Sequence, residues 1–437
     1  MSESNIYLSY TPTQLLEEKK KLTEQYNEYK SRNLDLNMTR GVPCKEQLDL
    51  SNDLLAVNLK DINYTAKGIG DCRNYGGLMG TSEARELFRE LFDADSINEI
   101  IVSGNSSLNV MYDTIARSIL FGVSEGSTPW SRLDGDKKVK FLCPVPGYDR
   151  HFSMCESFGI EMISIKINCD GKNDGPDMDE VERLVSSDPS IKGIWCTPKY
   201  SNPSGITYSD NVVKRFANLS PAAKDFRIYW DNAYIVHDLK NAGDNLLNLF
   251  AELKKNGKED MVYMFTSTSK ISFAGGGISA ICASEKNIKY ISSKMSFQTI
   301  GHDKINQLRH VLFFKNKAGL TAHMKKHGNI IKPKFDAVVN GFEKNLGNSG
   351  LAKWSNPNGG YFVSLFVPEG CAKKTVALAT ALGVALTPAG ATYPYKNDPR
   401  DSNIRIAPTC PSVGDLALAI DALCVCIKLA YVEKLAK

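Results

Sequence analysis

The sequence predicts an α/β protein, with a large domain on a mainly parallel seven-stranded sheet covered by helices and a smaller α+β domain beside it. Three observations carry that prediction. Seven short apolar runs, Ile100-Val102, Val139-Cys143, Met162-Ile167, Ile191-Cys196, Arg227-Trp230, Met261-Phe265 and Ile278-Cys282, alternate with helical segments. Most runs are apolar throughout rather than alternating, which calls for cover on both faces and so for parallel pairing. Beyond residue 305 the pattern turns to helices separated by short, glycine-flanked strands. We expect residues 1–60 to form an arm lying with the small domain, 61–305 the large domain and 306–437 the small one.

Composition narrows the class. A chain of 437 residues that is 42% hydrophobic and 23% charged can bury a sizeable core. Its net charge of +4 is spread without long runs, so no nucleic-acid or membrane partner is expected. Eleven cysteines without a Cys-x-x-Cys pair read as free thiols in a reducing, cytoplasmic setting, not as disulfides or a zinc site. No stretch approaches membrane-spanning length, and the start lacks a basic segment followed by an apolar run.

In chain order, Thr11-Pro12-Thr13-Gln14 opens a helix with a capping box and a proline in its first turn, and Leu15, Leu16, Leu22 and Tyr26 give it an apolar stripe. Two glycine-rich loops come next, around Arg40-Gly41 and around Tyr75-Gly76-Gly77; Thr81 then caps a second helix. After the seven runs, a helix over Asp303–Phe314 and helices to about 345 precede strands at Gly359–Phe366, Val384–Gly390 and Asn403–Ala407. A final helix spans Leu416–Leu435. His323 and His327 have the i, i+4 spacing of a metal pair but flank lysines with no acidic third ligand, so they read as a solvated helix face and no metal site is expected.

In a parallel sheet, ligands bind beyond the carboxyl ends of the strands, so a site is sought in the residues just after each run. Met261-Phe265 delivers Lys270 between small hydroxyl residues and Gly275-Gly276-Gly277, where an amine can form an imine with a carbonyl compound. An isolated Ser-Lys pair is more often a surface feature; its companions change that. Ser103-Gly104-Asn105-Ser106-Ser107 offers a helix start suited to phosphate. Tyr148 comes after a rigid Pro-Val-Pro-Gly turn, Asn202 precedes Pro203, and Asp231 with Tyr234 stands directly at a strand end. An amine, a carboxylate, a stacking ring, an amide and phenol pair and a phosphate cradle are together what pyridoxal 5'-phosphate needs.

Those segments, with Asn74-Tyr75-Gly76-Gly77, Ser267-Thr268-Ser269-Lys270 and Arg405-Ile406-Ala407-Pro408, occur in the order of fold-type-I pyridoxal-phosphate aminotransferases. Nearly the whole chain resembles that family, and it looks like the divergent aspartate aminotransferase branch of class I. The resemblance implies that Lys270 forms the internal imine and moves the proton, and that Asp231 pairs with the pyridinium nitrogen. It likewise implies that Asn202 and Tyr234 hold the ring hydroxyl, that Tyr148 stacks on the ring, and that Asn105, Ser106, Ser107, Ser267 and Ser269 bind the phosphate. Tyr75 would reach it from the second subunit of a homodimer, Arg405 would clamp the substrate α-carboxylate, and Gly41 and Asn202 would line the substrate site. The implied reaction moves the amino group of L-aspartate to 2-oxoglutarate in two half-reactions.

One departure is visible. Many relatives have an arginine eight residues after the lysine, where this chain has Ile278; backbone amides, Arg40 or Arg73 are the alternatives. For the side-chain carboxylate of an acidic substrate, Arg40, Arg73, Lys199 and Arg309 remain open. The other readings are an aromatic or kynurenine-type aminotransferase of the same fold, or a non-catalytic regulatory domain. The last would need a winged-helix segment that the fewer than 100 residues before Ile100 do not offer.

Overall fold

The computed structural model describes residues 5–133, 138–240 and 242–436. All seven apolar runs are strands of one sheet: β1 (Ile100–Ser103), β2 (Lys140–Val145), β3 (Glu161–Asn168), β5 (Ile191–Cys196), β6 (Arg227–Asp231), β7 (Val262–Ser267) and β8 (Ser279–Cys282). A two-residue strand β4 (Gly175–Pro176) adds an eighth at the edge, in the order β1-β8-β7-β6-β5-β2-β3-β4. β2, β3, β5, β6 and β7 pair in parallel, whereas β8 runs antiparallel to both β7 and β1 and β4 antiparallel to β3. β1, β2, β5, β6 and β7 therefore end on the same edge. Their residues divide between two apolar layers: Ile228 and Trp230 join one, and Tyr229 between them joins the other.

A separate core gathers the chain's two ends. The helix Pro12–Ser31 buries Leu15, Leu22 and Tyr26 there, beside the final helix Val413–Leu435; Leu16, about 100° further round the helix, stays exposed. Thr11 and Gln14 form the expected capping box. The same core takes in a three-stranded antiparallel sheet of β9 (Lys353–Trp354), β10 (Val363–Phe366) and β11 (Asn403–Ile406), with β10 in the middle. The long helix Lys317–Leu346 serves both regions, sending Leu320 and Met324 to the large sheet and Ile331 to Leu346 to the small one.

Three expectations are corrected. The run from Gly359 forms a strand only from Val363, because Gly359 and Gly360 are pressed against Tyr200 and the Gly360 amide donates to the His237 carbonyl. Around Val384 the strand is only Val384–Ala385, pairing with Leu36–Asn37; Pro388 lies shortly after it and carries no amide hydrogen. His323 and His327 are not a solvated face. Both are buried, 3.0 Å apart, with His323 Nε2 3.0 Å from the Ile271 carbonyl and His327 Nδ1 3.1 Å from Gln47. The pair faces the segment behind Lys270 while Lys325 and Lys326 point outward.

Candidate active site

Lys270 stands three residues beyond β7. The turn that carries it is pinned from two sides: the Thr268 amide donates to the Ile278 carbonyl, and His310 Nε2 lies 3.2 and 2.8 Å from the hydroxyls of Thr268 and Ser272. The Lys270 amine lies 5.1 Å from the centre of the Tyr234 ring. Burial pulls its pKa below that of a free lysine, with the charge of Asp231 opposing that shift. It opens into a cavity of about 500 Å³ shared with Tyr148, Asn202, Tyr234 and Arg405.

Asp231 ends β6 with its side chain buried. Oδ2 lies 3.0 Å from Nε2 of His151, whose ring is flat against Trp195 at 4.2 Å; Oδ1 is buried with no hydrogen-bond partner. A buried carboxylate oxygen left unpaired is costly, so the site fits a ligand that brings a protonated nitrogen to Oδ1. The pyridine ring of pyridoxal phosphate has such a nitrogen.

Ser267, Ser269 and Asn105 come together as expected: Ser267 donates to Ser269 at 3.0 Å, and Ser269 donates to the Asn105 carbonyl at 2.7 Å. Ser106 caps the helix Ser107–Phe121 by accepting from the Leu108 amide. The side of this cluster facing Gly104 and Gly275 is open, since a Cβ at either would touch nothing within 4 Å. Ile278 takes no part there: its side chain is in the apolar core and its amide donates to Thr268 Oγ1. Next to the cluster, Asn105, Gly275, Gly276, Gly277 and Arg309 line a smaller cavity of about 310 Å³, and Arg309 Nε is buried without a partner.

Arg405, on β11, projects into the main cavity. Its Nη1 donates to Asp149 at 2.7 Å and to Asn202 at 3.3 Å, its Nη2 to Thr387 at 3.3 Å, and the Phe362 ring lies 5.0 Å beneath the guanidinium. Gly41 closes over that ring so tightly that a Cβ there would overlap Phe362 Cζ. Arg40 and Arg150 complete the wall.

Of the cations considered for a second carboxylate, only Arg40 lines this cavity. Lys199 is paired with Asp238 at 2.9 Å and Arg73 with Asp71 at 2.6 Å, while Arg309 lies on the smaller cavity. Tyr75 lies outside its own chain's cavity, 82% exposed.

The family model described as aspartate amino-transferase matches residues 10–437. The chain belongs to that family. An aspartate aminotransferase of Corynebacterium glutamicum is 42% identical over 412 residues, 94% of this chain and 93% of the other. A crystal structure of an aspartate transaminase from the same species superposes with a TM-score of 0.94 at 39% identity, covering 99% of both chains. The fold alone is shared with LysN of Thermus thermophilus, an α-aminoadipate aminotransferase solved with N-(5'-phosphopyridoxyl)-L-leucine (TM-score 0.72, 18% identity, 92% and 93% covered). This aminotransferase is thus an enzyme of pyridoxal phosphate acting on amino acids and oxo acids.

Sequence reasoning passed over Asp149, Arg150 and His151, which come directly after Tyr148 in the first turn of the helix Asp149–Ser157. Ligand-binding residues cluster beyond strand ends, and extending that search past Tyr148 by three positions takes in all three. Phe362 and Thr387 left no comparable signal, since only the fold brings them to Arg405.

Proposed function

We propose that this aminotransferase takes its amino group from an acidic amino acid, L-aspartate, and passes it to 2-oxoglutarate. The carrying observation is the charge on the cavity wall: Arg40, Arg150 and Arg405 against the single carboxylate of Asp149. That excess suits a substrate with two carboxylates; Tyr148, Tyr234 and Phe362 also line the cavity, but an aromatic side chain would leave the second cation without a partner, so the aromatic reading is the weaker one.

The cofactor supplies an aldehyde to carry the amino group and a ring that accepts electrons from the substrate α-carbon. Asp231 Oδ1 keeps the ring nitrogen protonated, and His151, held by Trp195, fixes the carboxylate. Asn202 and Tyr234 would hold the ring hydroxyl and Tyr148 would cover one ring face. The hydroxyls of Ser267 and Ser269, with the helix start at Asn105, Ser106 and Ser107, receive the phosphate, and Arg309 supplies the cation that Ile278 does not. Lys270 would hold the cofactor through its amine and, as a free amine, would take the proton from the substrate α-carbon, a task its lowered pKa favours. Arg405 holds the α-carboxylate, Gly41 lets its own segment lie against Phe362, and Arg150 and Arg40 face the second carboxylate.

The cores of the two ends and of the large sheet would act as domains that close on substrate, 1–60 with 306–437 against 61–305, with Phe314, Leu320 and Met324 reaching from the second group into the large-sheet core. Tyr75, Phe297 and Ile300 are 82%, 80% and 60% exposed, and residues 76–77 lie against Gly301, so they share one surface. That surface suits a homodimer in which Tyr75 reaches the partner's phosphate. Free cysteines, all but Cys169 and Cys410 buried, support a cytoplasmic setting, and among the described residues no helix is long and apolar enough to cross a membrane.

The test is the visible absorption of the purified protein. L-Aspartate should bleach the band of the lysine-bound cofactor and 2-oxoglutarate should restore it, while Lys270→Ala should lose the cycle and keep the fold by circular dichroism. A band that aspartate leaves unchanged would redirect the donor; turnover by the Lys270→Ala variant would refute the assignment of the lysine.

A further inference from the structure

The ion pair between Arg405 and Asp149 brings two groups of unequal freedom together. Arg405 is 8% exposed and held besides by Asn202, Thr387 and the ring of Phe362. Asp149 is 31% exposed, makes its 2.7 Å bond to Arg405 through Oδ1, and stands in the first turn of a helix. A guanidinium this deeply placed needs a counter-charge, and Asp149 provides it. Its carboxylate can leave more easily than Arg405 can move. When it leaves, the free amides and dipole of its own helix start receive a negative charge well, and Arg40 and Arg150 line the same cavity.

From this we propose that Asp149 is an internal stand-in for substrate: its carboxylate occupies the Nη1 position of Arg405 in the empty enzyme and yields it to the substrate α-carboxylate. The exchange is carboxylate for carboxylate, so Arg405 is never left unpaired, and the wall carries its full excess of positive charge only while a substrate is seated. The proposal rests on the reading of Arg405 as the α-carboxylate clamp. Asp149 also lowers apparent affinity, since the competent fraction of sites is the fraction in which it has moved away.

Succinate is a suitable probe, being a dicarboxylate with no amine to transfer. Titrated into the holoenzyme by calorimetry, it should bind the Asp149→Asn variant about tenfold tighter than the wild type, because a neutral amide competes poorly for Arg405. Relief of like-charge repulsion alone would tighten binding in an Arg405→Met background as well, whereas the loss of an anchoring or merely structural residue weakens binding or leaves it unchanged. Either of those results would overturn the proposal. Adding Arg405→Met to Asp149→Asn should abolish the gain, and a gain that persists would place the competition elsewhere.

If Asp149→Asn fails to fold, a wild-type crystal grown with succinate decides the matter: Asp149 must be beyond hydrogen-bond distance of Arg405, and an intact 2.7 Å pair beside bound succinate refutes the exchange. Should wild-type holoenzyme bind no dicarboxylate while its cofactor band is present, the clamp reading of Arg405 fails instead.

Discussion

Lys270, Asp231 and Tyr234 lie within three residues of the ends of β7 and β6, whereas Gly41, Phe362, Thr387 and Arg405 reach the same cavity from four separated segments near the chain's two ends. The lysine wall inherits its geometry from a single sheet whose strands are hydrogen-bonded in register, Phe265 opposite Asp231. The arginine wall sets Gly41, Phe362, Thr387 and Arg405, which belong with the core of the chain's two ends, against Asp149 and Arg150 from the helix that follows β2 of the large sheet. A wall fixed by one sheet suits groups that must hold a reacting atom in place, and a wall assembled across two bodies suits groups that must open for substrate and close behind it. Substitutions on the lysine wall should therefore act on turnover, and those on the arginine wall on substrate affinity and choice.

Asp231→Asn is the largest expected break. Removing one preorganised electrostatic partner of the reacting system costs about 10²–10³ in kcat. The KM for aspartate should change little, because Asp231 sits on the His151 side of the cavity and not among the arginines. Steady-state kinetics with saturating cofactor checks this; a variant that alters KM with kcat intact would erase the distinction between the walls.

The arginine wall gives the complementary result. Arg150→Met, and separately Arg40→Met, should raise KM for aspartate and leave alanine turnover almost unchanged. Hydrogen bonds to charged groups contribute about 1.5–3 kcal/mol, so the selectivity for aspartate over alanine should fall by about 10–100-fold in the variant whose arginine reads the second carboxylate. Comparing kcat/KM for the two amino acids decides between Arg150 and Arg40. Equal losses on both amino acids would instead assign the residue to the α-carboxylate.

The same difference governs how much could be read without coordinates. The seven strands were legible because continuous apolar runs have one stable use in a chain of this size, and the residues directly after them came with the strands. The order of those residues then gave the family. His151 was not legible: a single histidine in the first turn of a helix means nothing until Asp231, eighty residues on, is placed 3.0 Å away by the pairing of β2, β5 and β6. Nor were Asp149, which reaches Arg405 from the other core, and Phe362 and Thr387, which reach it from segments 43 and 18 residues away within its own core. His323 and His327 misled for the opposite reason. Their lysine neighbours do face outward, but 3.6 residues per turn carries the two histidines to the inner side together, against Ser51 and Gln47.

Arg309 tests whether the phosphate end belongs to the fixed wall. The helix Lys304–Phe314 that carries it also sends His310 to Thr268 and Ser272, so its position relative to the lysine turn is set by direct hydrogen bonds. Arg309→Met should weaken binding of pyridoxal phosphate to the apoprotein by about tenfold or less, because the glycine-run amides and the hydroxyls of Ser267 and Ser269 still face the anion. Binding of pyridoxal, which lacks the phosphate, should be unaffected. Measuring both dissociation constants by absorbance makes the comparison internal: a parallel loss for the two ligands would mean that Arg309 supports the turn and not the anion. Loss confined to pyridoxal phosphate would show that a cation on a neighbouring helix, fixed through His310, has taken the place of the one missing at Ile278.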